Sequence, residues 1–363
     1  MAWSPVSRLG FVLGLRALLA KELRSRSRGW RSMWLVTIYL GLLAGLICGF
    51  LAMVQQAATT TPSGLGVWLF SSLALGSLVL LAFITPGFTA GAISGERERR
   101  TLDLLLITRA SPLGLVAGKL CGSLAFVLFL LVASLPGFAL VYLYGGVPIQ
   151  YLLMVFAVLL TTAVTHAALG LCLSALLRRT VLATVATYFV VLGVVFGVPF
   201  VSVAVGIAGA ASGGPGPRPY GFGLPSGPMS SSTSSSQTLR QVVLPPSAYL
   251  MVSPVISLSS VLPSESSGGA PMVGTMMQMA LGGPMANAGS GGRGLAFWQS
   301  SYFDGNERVV GFAPWVYHFA ISWTAALLFI VISAIAVAPV KPWRAMASRR
   351  RTAKRLRASE STA

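Results

Sequence analysis

The sequence predicts an all-α integral membrane protein of six transmembrane helices. Its N- and C-termini are cytoplasmic, a cytoplasmic coupling helix lies between spans 2 and 3, and a long external loop joins spans 5 and 6. Three observations carry that prediction. Hydrophobic residues make up 55% of the 363 positions and charged residues 9%, with a mean hydropathy of +0.78. That is the composition of chains that live in a bilayer. Six uncharged runs are long enough to cross about 30 Å of hydrocarbon, which takes roughly 20 apolar residues. They are Met33–Val54, Val67–Ile93, Leu120–Tyr144, Ile149–Leu177, Val181–Ala210 and Trp315–Ala338. Finally, six crossings put every Lys and Arg on one side except Arg218, Arg240, Arg293 and Arg308, and short basic segments mark the cytoplasmic side.

Residues 1–32 are basic and mix Phe11, Leu15, Leu18, Leu19 and Leu23 with Arg16, Lys21, Glu22, Arg24 and Arg26. This pattern predicts a helix lying in the inner interface. The run that follows is too long for a signal core and ends in no small-x-small cleavage site, so it reads as an uncleaved anchor. Gly41, Gly45 and Gly49 fall on one face of span 1, where another helix can approach closely. Pro86, Pro136 and Pro199 mark kinks in spans 2, 3 and 5. Residues 211–313 form the external loop, rich in Gly, Pro and Ser, and much of it is expected to be mobile. Within it, 242–262 reads as a membrane-dipping or interfacial element, since a single crossing there would move the basic tail 339–363 outside. A second crossing at Met272–Met285 would restore parity, but that stretch is interrupted by glycines.

The net charge of +18 does not indicate nucleic acid. The basic residues flank the apolar runs, where anionic head groups attract them. Cys48, Cys121 and Cys172 lie in or at the ends of spans, form no disulfide framework and show no metal-ligand spacing. They read as buried packing residues.

The densest charge in the chain falls between spans 2 and 3, at 94–119. Glu96, Arg97, Glu98, Arg99, Arg100, Asp103, Arg109 and Lys119 surround the apolar run Leu104–Ile107. A helix from Glu96 to Ile107 would set Leu102, Leu105 and Leu106 on one side and charges on another, with its acidic residues at the positive end of its dipole. Ser94 would cap it and Ser111-Pro112 would stop it. An apolar ridge with charged flanks suits a partner's groove.

Other candidate chemistry fails. Gly114-Leu-Val-Ala-Gly118-Lys119 has three residues between its glycines instead of the four of a phosphate loop, and Leu120 where magnesium needs a hydroxyl. His166 and His318 differ in depth along their spans, which argues against a shared metal. His166 reads as hydrogen-bonded to a neighbouring helix, or as lining a cavity. Ser94 lies at the water boundary, so it is no intramembrane nucleophile. Met272, Met276, Met277, Met279 and Met285 fit Cu(I) in softness, but in a glycine-rich loop they read as flexible apolar contacts. No catalytic residue, cofactor or metal is expected.

In sequence, Ser94-Gly-Glu-Arg-Glu-Arg-Arg-Thr-Leu-Asp-Leu-Leu-Leu106, with Ser111-Pro112 and Gly118-Lys119 after it, resembles the coupling element of ATP-binding-cassette exporter permeases of the type-2 class. There the pattern is Ser-x-Glu-(Arg/Lys)-Glu-x-(Gly/Arg)-Thr-Leu-(Asp/Glu)-Leu-Leu-Leu. Lys21-Glu22-Leu23-Arg24 is similar to the family's pre-span motif, although a lipid-facing basic helix explains it equally. The resemblance implies short outer-leaflet helices in the external loop and a dimer of permease subunits, identical or not. It also implies a separate cytoplasmic ATPase contacting Glu22, Glu96, Arg97, Glu98, Arg100, Thr101, Leu102, Leu105 and Leu106. The implied protein is a multi-pass export permease of a bacterial inner membrane, not itself an enzyme. A bundle with few internal polar groups favours a lipidic or amphipathic substrate. The rival is a scaffold or sensor that docks a regulatory protein without transport. An adjacent reading frame with a phosphate loop would favour the permease.

Overall fold

The structure, a computed structural model, describes residues 30–56, 62–101, 112–144, 147–201, 240–241, 252–262, 299–304 and 307–338. Six of its helices are long and apolar enough to cross a membrane. These are α1 (Trp30–Gln56), α2 (Pro62–Thr89), α4 (Pro112–Tyr144), α5 (Ile149–Leu176), α6 (Thr180–Leu192) and α8 (Pro314–Val337). α6 continues through a π-helical turn at Gly193–Gly197 and on to Val201. Two short helices join them, α3 (Ser94–Glu98) and α7 (Pro254–Val261).

The proline expected to stop a helix instead starts α4. At a first helical position its missing N–H and fixed φ are harmless. α2 and α4 run on through Pro86 and Pro136.

α5 is the centre of the bundle, packed against α8 above all and against α2, α4 and α6. Its contacts with α8 step along both chains in the same direction, so the two helices are parallel. Thr162 Oγ1 shares a 3.3 Å hydrogen bond with His318 Nε2, Thr165 donates to the Ser322 carbonyl at 3.3 Å, and Ser333 donates to the Leu171 carbonyl at 3.5 Å. This register corrects the depth argument made from the sequence. His318 is level with Thr162, which places it about one turn from His166 in depth. His166 itself is buried. The described residues contain no cluster of three or more His, Cys, Asp or Glu side chains.

α1 joins the bundle through Tyr39, Leu43 and Ile47, which recur every four residues on its buried face. Gly41, Gly45 and Gly49 lie on its outer face, and no described residue approaches within 4 Å of where their Cβ atoms would be. Cys48 and Cys121 also face outward, against expectation, and only Cys172 is buried.

Parts of the 211–313 stretch are described, and they hold regular structure. Within the 242–262 stretch, α7 is buried against α2, α5, α8 and the π-helical turn of α6. Three strands, β1 (Arg240–Gln241), β2 (Gln299–Asp304) and β3 (Glu307–Phe312), pair in the order β1-β3-β2. β2 and β3 form an antiparallel hairpin, and β1 pairs parallel to β3. Ala313 alone separates β3 from α8.

Candidate coupling site

Between α2 and α4 the chain passes through Ala90–Thr101 before leaving the described residues. Ile93 is fully buried there, in a cluster with Leu115 and Val116 of α4, Leu171 and Ala175 of α5 and Val337 of α8. Burying such a side chain is worth roughly 1.5–3 kcal/mol at a water boundary. One isoleucine thus pins the start of the segment to the ends of three spans.

Polar contacts then fix its path. The Ile93 and Ser94 amides both donate to Ser174 Oγ at 3.0 Å, and the Ser94 and Ser174 hydroxyls share a bond of 3.1 Å. Ser94 therefore faces α5 and is not the expected cap; the N-cap residue of α3 is Ile93. Arg97 donates to the Ala175 carbonyl at 3.0 Å, filling an acceptor that the end of α5 leaves open. Lys119 Nζ lies 2.8 Å from Glu96 Oε1, with the Lys119 side chain only 6% exposed. Glu98 reaches the start of α6, where the Thr180 amide donates to Oε1 at 2.8 Å and the Thr180 hydroxyl to Oε2 at 3.0 Å. These bonds, first the amide and then the hydroxyl, hold the exposed Glu98 carboxyl below its usual range, and the Arg179 charge adds to the effect. At neutral pH it is ionised and serves as the acceptor that α6 lacks, since Arg179 at its N-cap offers no side-chain cap.

The helix expected over Glu96–Ile107 ends at Glu98. The Arg100 amide bonds to the Arg97 carbonyl and the Thr101 amide to the Glu96 carbonyl, each near 3 Å, while Arg100 takes φ of 58°. Those two bonds around a left-handed residue are a Schellman stop. A helix cannot continue through that conformation, which glycine adopts without strain and arginine does not. The Gly/Arg position of the resembling pattern falls on this residue.

The structure thus brings Glu96, Arg97 and Glu98 together with α4, α5 and α6, and turns Arg100 and Thr101 outward. Glu22, Leu102, Leu105 and Leu106 lie outside the described residues. Sequence reasoning placed Lys119 in the 94–119 segment without its partner Glu96, and missed Ser174 and Thr180 as members of the junction. Lys119 carried a signal, being the one charged side chain in α4, and a charge inside a span needs a partner. Ser174 and Thr180 carried none, because a lone hydroxyl in a span usually bonds its own helix.

Among curated proteins, no match to the chain is found. Residues 16–250 match the family model described as ABC-2 family transporter protein. That match covers more than half of the chain, including α1 to α6 and the whole of the junction. With six helices able to cross a membrane, the chain belongs to the ABC-2 family of transporter membrane proteins, as a multi-pass permease subunit.

Proposed function

We propose that the chain couples ATP hydrolysis by a separate cytoplasmic ATPase subunit to export of a substrate across a bacterial inner membrane, working as one of two permease subunits. The observation that carries this reading is the junction itself. A charged segment is tied by Ile93, Ser94, Glu96, Arg97 and Glu98 to four spans at once, α4, α5, α6 and α8. It then presents Glu98, Arg99, Arg100 and Thr101 to water, shortly before the apolar run Leu104–Ile107. A part that is rigidly joined to the bundle and exposed at its tip is suited to receive a push from a partner and pass it to the helices. The chain itself hydrolyses nothing; its role is mechanical and selective.

Co-purification with the ATPase subunit tests this. Replacing Leu105 and Leu106 with Asp should abolish capture of the ATPase while leaving membrane insertion intact, because groove docking depends on an apolar ridge. The purified chain alone should show no ATP turnover above a mock preparation, and turnover should appear once the ATPase is added. Turnover by the isolated chain, after contaminating ATPases are removed, would refute the reading.

A further inference from the structure

Within the junction Glu98 differs from its neighbours. Ser94 and Arg97 bind the end of α5, and Glu96 binds α4, whereas Glu98 holds the first residue of α6 through both its amide and its hydroxyl. Two bonds from one carboxylate fix direction as well as distance. The covalent route into α6 is looser. Leu177 and Arg179, which join it to α5, have extended backbones, with ψ of 136° and 130°. α6 therefore does not inherit its orientation from α5 as a continuous helix would.

Further along, α6 has a second attachment and then a change of form. The Tyr188 hydroxyl donates to the Phe83 carbonyl of α2 at 2.9 Å. One turn later the helix passes into the π-helical turn Gly193–Gly197. A π turn interrupts the ordinary hydrogen-bond ladder and is a recurrent site of bending. Glycines stand at both ends of it, with no described atom within 4 Å of either Cβ position. On the side of the two glycines a bend meets no obstruction, while the fully buried Val195 and the contact with α7 anchor the opposite side of the turn. The half of α6 before the turn is thus held at Thr180 and Tyr188, and the other half begins beyond a natural hinge.

We propose that Glu98 is the positioning residue that conveys movement of the 94–101 segment to α6, which bends at Gly193–Gly197. The inference rests on the reading that an ATPase subunit acts on this segment.

The test uses the full chain assembled with its cytoplasmic ATPase and isolated by a tag on the ATPase, so that only complexes are measured. Spin labels at Leu182→Cys in α6 and Leu153→Cys in α5, both exposed positions, report their separation without nucleotide and after trapping with ATP and vanadate. Cys48 and Cys121 are replaced by Ser in this background. The expected result is a nucleotide-dependent shift that is lost in Glu98→Ala. It should be largely kept in Glu98→Gln, whose carbonyl still accepts the Thr180 amide, and reduced in Thr180→Val, which removes only the hydroxyl. Because Glu98→Ala can fail to fold, Gly193→Ala/Gly197→Ala provides an independent arm. It has room for both methyl groups and should reduce the shift by stiffening the turn. A shift of native size in Glu98→Ala, or in the double glycine variant, would overturn the proposal. So would a native complex with no shift, or loss of capture in Glu98→Ala with an unchanged shift in Thr180→Val, which would make Glu98 a docking residue. Failure of the native chain to capture any ATPase would instead refute the reading beneath it, and this inference with it.

Discussion

At the scale of single residues, the pair Lys119–Glu96 has the largest consequence. Lys119 is 5% exposed, and Glu96 Oε1, 2.8 Å away, offsets the burial of its charge. Removing Glu96 or Lys119 takes an opposite charge away from the other member, at a cost of up to about 3–5 kcal/mol for a buried pair. Glu96 keeps some contact with water, so the lower end applies. Lys119→Met and Glu96→Gln should each lower the melting temperature of the detergent-solubilised chain, and the double variant should recover much of the loss. Additive losses in the double variant would mean that the two charges do not depend on each other. The arginine at φ of 58° illustrates a different residue-scale fact. The resemblance implies that it contacts the ATPase, and its backbone also ends α3.

At the scale of elements, the packing of α2 on α5 depends on the absence of a side chain. A Cβ at Gly170 would run into Thr89, which lies directly over it. Gly170→Ala should therefore destabilise the folded chain by about 1–3 kcal/mol, the usual cost of overpacking. Thr89→Ala in the same chain should return most of that loss, as read from paired melting curves. This contact was not legible beforehand, because Gly170 is one of many glycines in apolar runs and nothing local marks it. The spans were legible, since each is an unbroken apolar run and the bilayer permits few alternatives to a helix. Their ends were less so: Pro112 reads as a stop or a start depending on which side the helix lies. The β2–β3 hairpin went unseen because Gly-rich and Ser-rich composition around it masks short strands. The end of α3 was missed for a related reason, as leucine periodicity after Thr101 argues for a longer helix and only backbone geometry shows the break.

At the scale of the whole molecule, we propose a sidedness on the grounds of charge, with both termini cytoplasmic. Residues 1–32, the 94–119 segment, Arg178-Arg179 and the 339–363 tail carry nearly all the basic side chains, and each is short enough for the orientation rule to act on it. Cysteines introduced at Ser234 and Ser359, with Cys48 and Cys121 replaced, should be labelled by a membrane-impermeant maleimide in intact cells only at 234. Labelling at 359 would refute the six-span arrangement.

The parallel pairing of α5 with α8 also sets a problem of timing. α8 follows α5 only after Leu176–Pro314 has been synthesised, which takes on the order of ten seconds or more at 5–20 residues per second. Through that interval Thr162, Thr165 and the Leu171 carbonyl have been made, but His318, Ser322 and Ser333, with which they pair in the finished bundle, have not. The nascent chain therefore holds polar groups whose partners across the bundle do not yet exist, and until its last span is threaded they rely on local bonds such as that of the Thr165 hydroxyl to the Thr161 carbonyl at 3.0 Å. Biogenesis, as much as transport, depends on what stands beside α5.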